Sequence, residues 1–292
     1  MSARISKRLG WRSVFAAAAF ASLLGALGAA AAPKKATTPA GSGGAAARAG
    51  GAPIQFTAAD TVPLQGTWFA GPAHAPSLVL APRGRKPDPG LDSMAANFQQ
   101  RGFNVLTFGL RDPAPESAEK DSLRYLMLAS RWVEDVMGAI EAARARTDST
   151  GHLFIWGQGM GAALAVAAVA REPGQCDGLA AEQLYRTTDD AMKLNGTFVI
   201  PDAIESRNLH LHPPDEPISA AARLNLPAFA ILVGPDGGSP SDPTLQVLSR
   251  DRGRVDRWKR PWLEPGARTP TAADADTMGV WFMKWTHFPR AR

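Results

Sequence analysis

The sequence predicts an α/β fold in which a mainly parallel central sheet is flanked by helices on both faces. The 292 residues are 45% hydrophobic and 20% charged, a composition that excludes disorder throughout, collagen and coiled coils. Short apolar runs of strand length recur along the chain, and segments with helical periodicity separate most of them. Runs without polar alternation are typical of parallel strands that are covered on both sides.

Three segments divide the chain. Residues 1–31 join a basic start to an apolar run, and Ala29 and Ala31 form an A-x-A cleavage pattern, which together are the signature of a secretory signal peptide. Residues 32–52 are rich in Gly, Ala and Pro, so we expect a flexible linker there. Residues 53–292 are predicted to form one α/β domain. We therefore expect a periplasmic or secreted protein, and the alternative is an uncleaved single-span anchor.

Charge and cysteine content narrow the classes of partner. Residues 1–31 hold four basic residues and no acid, so the rest of the chain has a formal net charge of only +1. This balance does not favour a nucleic-acid partner. We expect an unknown small molecule or an envelope component instead, with membrane contact only if the signal segment is uncleaved. The single Cys176 excludes an intrachain disulfide.

Strands are predicted from apolar runs that end at turn residues. The first two runs precede the alternation of strands and helices, so we expect a hairpin at the start of the domain. The predicted strands are 54–57, 64–69, 77–81, 103–109, 153–156, 197–200, 228–233 and 255–262.

Helices are predicted from apolar residues at i, i+3, i+4 and i+7 and from their caps. The first is predicted to begin near Asp92 or Ser93 and to stop at Gly102. The last carries Met278 and Trp281 at helical spacing, which indicates a face that packs on the core. The predicted helices are 91–101, 121–146, 161–171, 179–193, a short one after Asp242-Pro243, and one around 278–285.

The stretch LFIWGQGMGAALAV (153–166) takes a buried strand through a glycine-rich turn into a helix of small residues. This is the context of the nucleophile elbow, G-x-S-x-G, in which the serine occupies a strained apex. Aligned on Gly157 and Gly161, the apex is Gly159, so the serine is missing. Glycine adopts positive φ without steric cost, so the turn can form without the nucleophile.

Three further segments accompany this turn: LVLAPRGR (78–85), GFNVL followed by GLR (102–111), and LPAFAILVGPDGG (226–238). Together with the turn, they resemble the α/β-hydrolase superfamily over roughly residues 54–290. The resemblance implies an α/β-hydrolase fold, with an oxyanion loop after the first segment and a catalytic acid after the third. GLRDPAP combined with a glycine apex is also similar to an uncharacterised branch of exported proteobacterial proteins with this fold.

The resemblance implies three catalytic positions, of which two are empty here. The nucleophile position is Gly159, which has no side chain. The acid position is taken by Asp236, with Asp242 as a second candidate. The histidine position falls within residues 263–272, which contain no histidine and have Arg268 as the nearest polar side chain. Acyl transfer needs all three groups together.

Other parts of the predicted pocket could still bind a ligand. The N–H of Met160, with a donor from Arg83 or Gly84, would form an oxyanion-like site. Arg83, Arg85 and Gln158 are candidate ligand-binding residues, because they surround the predicted mouth of the pocket. We therefore predict an exported protein without serine-hydrolase activity that binds through a vestigial pocket.

The alternative is an active esterase or acyl hydrolase in which Cys176, Ser206 or Ser239 is brought into the pocket by loops.

No metal site or cofactor is predicted. The pair His210-x-His212, followed by Asp215 and Glu216, has the residue types of a metal site, but its spacing is a weak signal. The turn 157–161 lacks the Lys-Ser/Thr of a phosphate-binding P-loop. It also lies far from the first strand, where a dinucleotide fingerprint belongs.

Overall fold

The fold is taken from a computed structural model of the chain. It describes residues 50–83, 88–111, 128–148, 151–188, 190, 211–233, 241–260 and 272–287. The predicted signal peptide, nearly all of the predicted linker and the predicted strand 197–200 lie outside these residues. Within the described ranges, no helix combines the length and apolar character needed to cross a bilayer.

An eight-stranded sheet forms the centre of the fold, with strand order β1-β2-β4-β3-β5-β6-β7-β8. β1 pairs antiparallel with β2, and β2 pairs antiparallel with β4, so the chain opens with the expected hairpin. All remaining pairs, from β4 to β8, are parallel. The strands are β1 Ala52–Thr57, β2 Pro63–Phe69, β3 Ser77–Ala81, β4 Asn104–Phe108, β5 Leu153–Gln158, β6 Gly178–Glu182, β7 Ala228–Leu232 and β8 Val255–Lys259.

Helices cover both faces of the sheet, as predicted. The helices are α1 Pro89–Gln100, α2 Leu128–Arg146, α3 Met160–Arg171, α4 Pro217–Ala220, α5 Pro243–Leu248 and α6 Ala272–Trp285, with a 3₁₀ turn at Ala221–Arg223. Alternate residues of β3 point to opposite faces: Leu78 packs with α1 and α6, whereas Val79 packs with α2 and α3. Strands β3, β5, β6 and β7 are buried along their whole length, and β4 is buried after its first residue, which explains their apolar runs.

The face formed by α1 and α6 is rich in aromatic contacts. Phe282 of α6 lies 4.9 Å, between ring centroids, from Phe154 of β5. Trp281 stacks on Phe229 of β7 at the same centroid distance. The aromatic residues at helical spacing in α6 therefore pack on the core, as the sequence indicated.

The helix predicted over 179–193 is wrong at its start, because Gly178–Glu182 is strand β6. Its run Leu-Ala-Ala has high helix propensity, but it lies between β5 and β7 and is fully buried. A five-residue segment buried on both faces gains more from pairing with two strands than from local propensity. The described residues that follow, 183–187, are not helical, and the end of the predicted helix, 191–193, lies outside the described residues.

Candidate functional site

The candidate site lies at the carboxyl edge of the parallel strands, where α/β folds carry their ligands. Arg83 follows β3, Gln158 ends β5, Glu182 ends β6 and Arg260 follows β8. Because these strands are parallel, their ends meet at the same edge of the sheet. The sequence prediction included Arg83 and Gln158 but missed Glu182 and Arg260.

The turn between β5 and α3 is a sharp bend with Gly159 at its apex. Gly159 has φ 58° and ψ −119°, outside the backbone regions that L-residues normally occupy. Its N–H donates to the main-chain oxygen of Glu182 at 2.9 Å, which fixes the bend against β6. The atom that projects from the apex is only a hydrogen.

Two neighbouring glycines allow α3 to approach the strands closely. A Cβ on Gly157 would lie 2.5 Å from the amide nitrogen of Ala162. A Cβ on Gly161 would lie 2.6 Å from the main-chain oxygen of Ala81, at the end of β3. Any side chain at either position would force the helix away from the sheet. This steric requirement explains why the glycine pattern predicted the turn from the sequence.

Polar side chains at this edge form a continuous chain of contacts, which we call the edge network. Its members are Asp88, Arg83, Gln158, Glu182, Arg260 and Asp274. Gln158 Oε1 accepts from Arg83 Nη1 at 3.0 Å, and Gln158 Nε2 donates to Glu182 Oε1 at 2.9 Å. Gln158 therefore links the end of β3 to the end of β6.

Ion pairs extend the edge network at both ends. Arg83 Nε donates to Asp88 Oδ2 at 2.9 Å, and Asp88 also caps α1 by accepting from the N–H of Gly90. Arg260 Nη1 donates to Glu182 Oε1 at 2.7 Å, and Arg260 Nη2 lies 3.2 Å from Asp274 Oδ2 at the start of α6. The network thus connects α1, the ends of the four strands β3, β5, β6 and β8, and α6.

Glu182 is the most deeply buried carboxylate of the edge network, with 1% of its surface exposed. Burial raises the pKa of its carboxyl to about 7, against the opposing effects of Arg260 and Gln158. Its second oxygen, Oε2, is buried and has no hydrogen-bond partner among the described residues, and the same is true of Arg260 Nε. A neutral carboxylic acid tolerates this environment far better than a carboxylate does.

Met160 and Tyr185 complete the surroundings of the bend. Met160 begins α3 and is half-buried, and its sulfur accepts a hydrogen bond from the Tyr185 hydroxyl at 3.1 Å. Burial raises the pKa of Tyr185 far above its ordinary value, so the hydroxyl stays neutral. The remaining predicted positions Gly84, Arg85, Asp236 and Arg268 lie outside the described residues.

Several residues considered as alternatives have other roles in the fold. Asp242 caps α5 by accepting from the N–H of Thr244 at 2.8 Å. Asp215 pairs with Arg171 at 2.6 Å, and Glu216 accepts from the N–H of Thr188 at 2.7 Å. No group of metal-binding side chains is found in the described part of the chain, and His210 lies outside it.

Cys176 cannot act at the bend. It precedes β6, beside the start of β5, and therefore lies at the edge of the sheet opposite Gly159. Burial raises the pKa of its thiol to about 12, so it is not a thiolate near neutrality. Ser206 and Ser239 lie outside the described residues.

Comparison with known proteins gives similarity of structure only. No protein-family model matches the sequence, and no curated protein matches it. Among solved structures, a dienelactone hydrolase from Anabaena variabilis is 16% identical, with 82% of this chain and 100% of that chain covered and a TM-score of 0.53. An esterase from Pyrococcus furiosus is 14% identical, with 80% and 90% covered and a TM-score of 0.56.

A third similar structure is brefeldin A esterase, a bacterial homologue of human hormone-sensitive lipase. It is 15% identical, with 81% of this chain and 76% of that chain covered and a TM-score of 0.55. These identities are too low to assign an activity to this chain, but the superpositions extend over most of its length. Together with the strand order and the bend between β5 and α3, they confirm that this chain has the α/β-hydrolase fold.

Proposed function

We propose that this chain is an exported protein that uses the α/β-hydrolase fold to bind a ligand, without serine-hydrolase activity. One observation carries the proposal: Gly159 stands at the apex of the bend, with φ 58° and ψ −119°. An acyl-enzyme requires a hydroxyl or thiol at the attacking position, and glycine has neither. The bend is kept while the attacking atom is absent.

The bonding of the edge network argues against a displaced general base at this edge of the sheet. Arg83, Gln158, Glu182 and Arg260 are bonded to one another, so their polar atoms are largely committed to structure. A general base needs a free lone pair within reach of the proton that it removes. Glu182, the buried acid with a raised pKa, is 1% exposed, which keeps it from a substrate at the surface of the bend.

The ligand class follows from the donors at the bend. The first N–H groups of the twelve-residue helix α3 are not used by its own hydrogen-bond ladder and lie at the positive end of the helix dipole. Arg83, which pairs with Asp88 and has its side chain about one quarter exposed, adds a guanidinium beside them. An anionic or carbonyl-containing small molecule, or an envelope component bearing such a group, fits this chemistry.

A fluorophosphonate probe and chromogenic esters test the absence of hydrolase activity. We expect no labelling of the purified chain beyond that of the heat-denatured protein, and no turnover above the buffer rate. An active serine esterase treated in parallel shows that the reagents work. Stoichiometric labelling, or turnover abolished by changing a single pocket residue, would establish the competing esterase function.

Export is tested separately, by cell fractionation and by amino-terminal sequencing of the mature protein. The basic start and the A-x-A pattern at Ala29 and Ala31 predict a mature chain that begins near Ala32. An intact amino terminus in the membrane fraction would instead identify a single-span anchor.

A further inference from the structure

A polar cleft near the segment that follows β6 has no role in the function proposed above. It has a volume of about 550 Å³, within the range of small-molecule sites. The segment after β6, α4 and the end of α5 build it. Of its lining residues that the structure describes, only Ile218 is apolar; they are Arg186, Thr187, Asp190, Ile218, Gln246, Ser249 and Arg250.

Arg186 is held in place on one wall of the cleft. Its Nε donates to Asp190 Oδ2 at 2.9 Å, and the N–H of Asp190 donates to the Thr187 hydroxyl at 3.1 Å. The main-chain oxygen of Arg186 accepts from the N–H of Ile218 at 3.0 Å. The two terminal nitrogens of the guanidinium make no hydrogen bond within the described structure. The two terminal nitrogens of Arg186 can therefore donate to a ligand. The bond to Asp190 already orients them, so binding does not have to order this side chain.

Arg250 supplies a second guanidinium to the same cleft. It follows α5 and is exposed, and its side chain has neither a hydrogen bond nor an ion pair among the described residues. Among the described residues, the cleft thus contains two guanidiniums and one carboxylate, and that carboxylate already pairs with Arg186. These described side chains leave an excess of one positive charge in the cleft, which favours an anionic ligand.

We propose that this cleft binds the phosphate or carboxylate group of a small polar molecule, held by Arg186 and Arg250. The planar fork of a guanidinium matches the oxygens of both groups. Thr187, Gln246 and Ser249 place hydrogen-bonding side chains beside the anion, which suits hydroxyl groups on the rest of the ligand.

The test measures binding of glycerol 3-phosphate and of glycerate to the full chain by isothermal titration calorimetry, at constant ionic strength. The two probes distinguish a phosphate ligand from a carboxylate ligand, and saturable binding of either supports the proposal. Arg250→Ala removes exposed, charge-assisted hydrogen bonds, so we expect it to weaken binding about tenfold or more.

The matched control is Arg252→Ala, which makes the same change in charge at an exposed arginine two residues away that does not line the cleft. We expect the affinity of this variant for the probes to stay within about twofold of the parent's, because the charge it removes is outside the cleft and is screened by salt. Unchanged thermal unfolding of both variants shows that each is folded. Absence of saturable binding by both probes, or equal losses in the two variants, would overturn the proposal.

Discussion

Among single residues, Gly159 combines a backbone constraint with the loss of a chemical group. Its positive φ is outside the range that serine prefers, so Gly159→Ser should lower the free energy of unfolding by about 1–3 kcal/mol. We also expect this variant to remain inactive toward esters and fluorophosphonates, because a serine without a general base is a weak nucleophile. Urea unfolding and probe labelling measure the two effects.

Gly174→Ser is the matched control for that experiment. Gly174 follows α3, has φ 91° and has nothing within 4 Å of the position of an added Cβ. It therefore isolates the backbone cost of serine at positive φ, without steric contact and away from the bend. Esterase turnover by Gly159→Ser, but not by Gly174→Ser, would show that a working general base is present and that only the nucleophile is missing.

Glu182 makes the stability of the protein depend on pH near neutrality. The edge network contains three carboxylates and two guanidiniums, so protonation of the most buried carboxylate balances its charge. The pKa of Glu182 rises from its ordinary value of 4.5 to about 7 in the folded chain. Its contribution to stability is therefore fully present below about pH 4.5 and is lost as the pH rises through 7.

Glu182→Gln keeps the size of the side chain and an oxygen acceptor for Arg260 while removing the titration. We expect its free energy of unfolding, relative to the parent, to rise by up to about 3 kcal/mol between pH 5 and pH 8. Urea unfolding over this range measures the slope. Glu141→Gln, at an exposed position on α2, should show no such trend, and a flat difference for Glu182→Gln would contradict the raised pKa.

The residues of the candidate site differ in how far sequence could predict them. Gly157 and Gly161 could be predicted from sequence because the tight turn leaves no room for a Cβ at either position, and Gly159 because it stands at the apex between them. Glu182 and Arg260 were not, because their importance depends on β6 and β8 ending at the same edge as β5. Had Glu182 been assigned to the end of a strand, the edge rule for parallel sheets would have singled it out.

At the scale of elements, the packing of α3 against the strands depends on Gly161. An added Cβ there would lie 2.6 Å from the main-chain oxygen of Ala81, so backbone must move to accommodate it. We expect Gly161→Ala to lower the free energy of unfolding by about 1–3 kcal/mol, the usual cost of overpacking, despite the better helix propensity of alanine. Chemical denaturation measures the loss.

Gly279→Ala provides the contrast, since it places the same methyl group inside another helix. Gly279 lies in α6, and its added Cβ would meet its nearest neighbours at 3.7 Å, an ordinary contact distance. We expect this variant to be neutral or to gain up to about 1 kcal/mol from helix propensity. Equal effects at positions 161 and 279 would mean that α3 is not packed as closely on β3 as its glycines indicate.

Elements also show where local patterning fails. Strands β3, β5 and β7 follow from apolar runs bounded by turns, and α6 follows from aromatic spacing. β6 does not, because Leu-Ala-Ala-Glu is equally compatible with a helix until its two neighbouring strands are known. The alternation of the other strands with helices was sufficient to predict the fold class. Neither this error nor the predicted start of α1 near Asp92 changed it, although α1 begins at Pro89 with Asp88 as its N-cap.

At the scale of the whole molecule, a largely buried arginine holds distant segments together. Arg111, after β4, donates to Asp60 at 2.6 Å in the turn between β1 and β2, and to Asp135 of α2 at 2.7 Å. Burial raises the pKa of Asp135, which is fully buried, and Arg111 opposes that rise. A single guanidinium thus ties the antiparallel start of the sheet to a helix on its face.

Removing this arginine should leave an uncompensated charge in the interior. We expect Arg111→Met to lower the free energy of unfolding by about 3–5 kcal/mol at pH 7, because Asp135 stays buried without its partner. Since the pKa of Asp135 would then rise further, the loss should shrink as the pH falls toward 5 and the carboxyl protonates. Adding Asp135→Asn in the same chain should restore much of the stability at pH 7.

The comparison variant is Arg254→Met, which breaks an exposed pair with Asp256 at 2.9 Å and a contact with the Trp285 ring. Arg254 is 60% exposed, so solvent screening limits the expected loss to about 1 kcal/mol. Equilibrium urea unfolding measures the free energy of unfolding of the parent, of Arg111→Met, of Arg254→Met and of the double variant Arg111→Met with Asp135→Asn. A loss at Arg111 no larger than that at Arg254, or one independent of pH, would mean that Asp135 reaches solvent when its partner is removed.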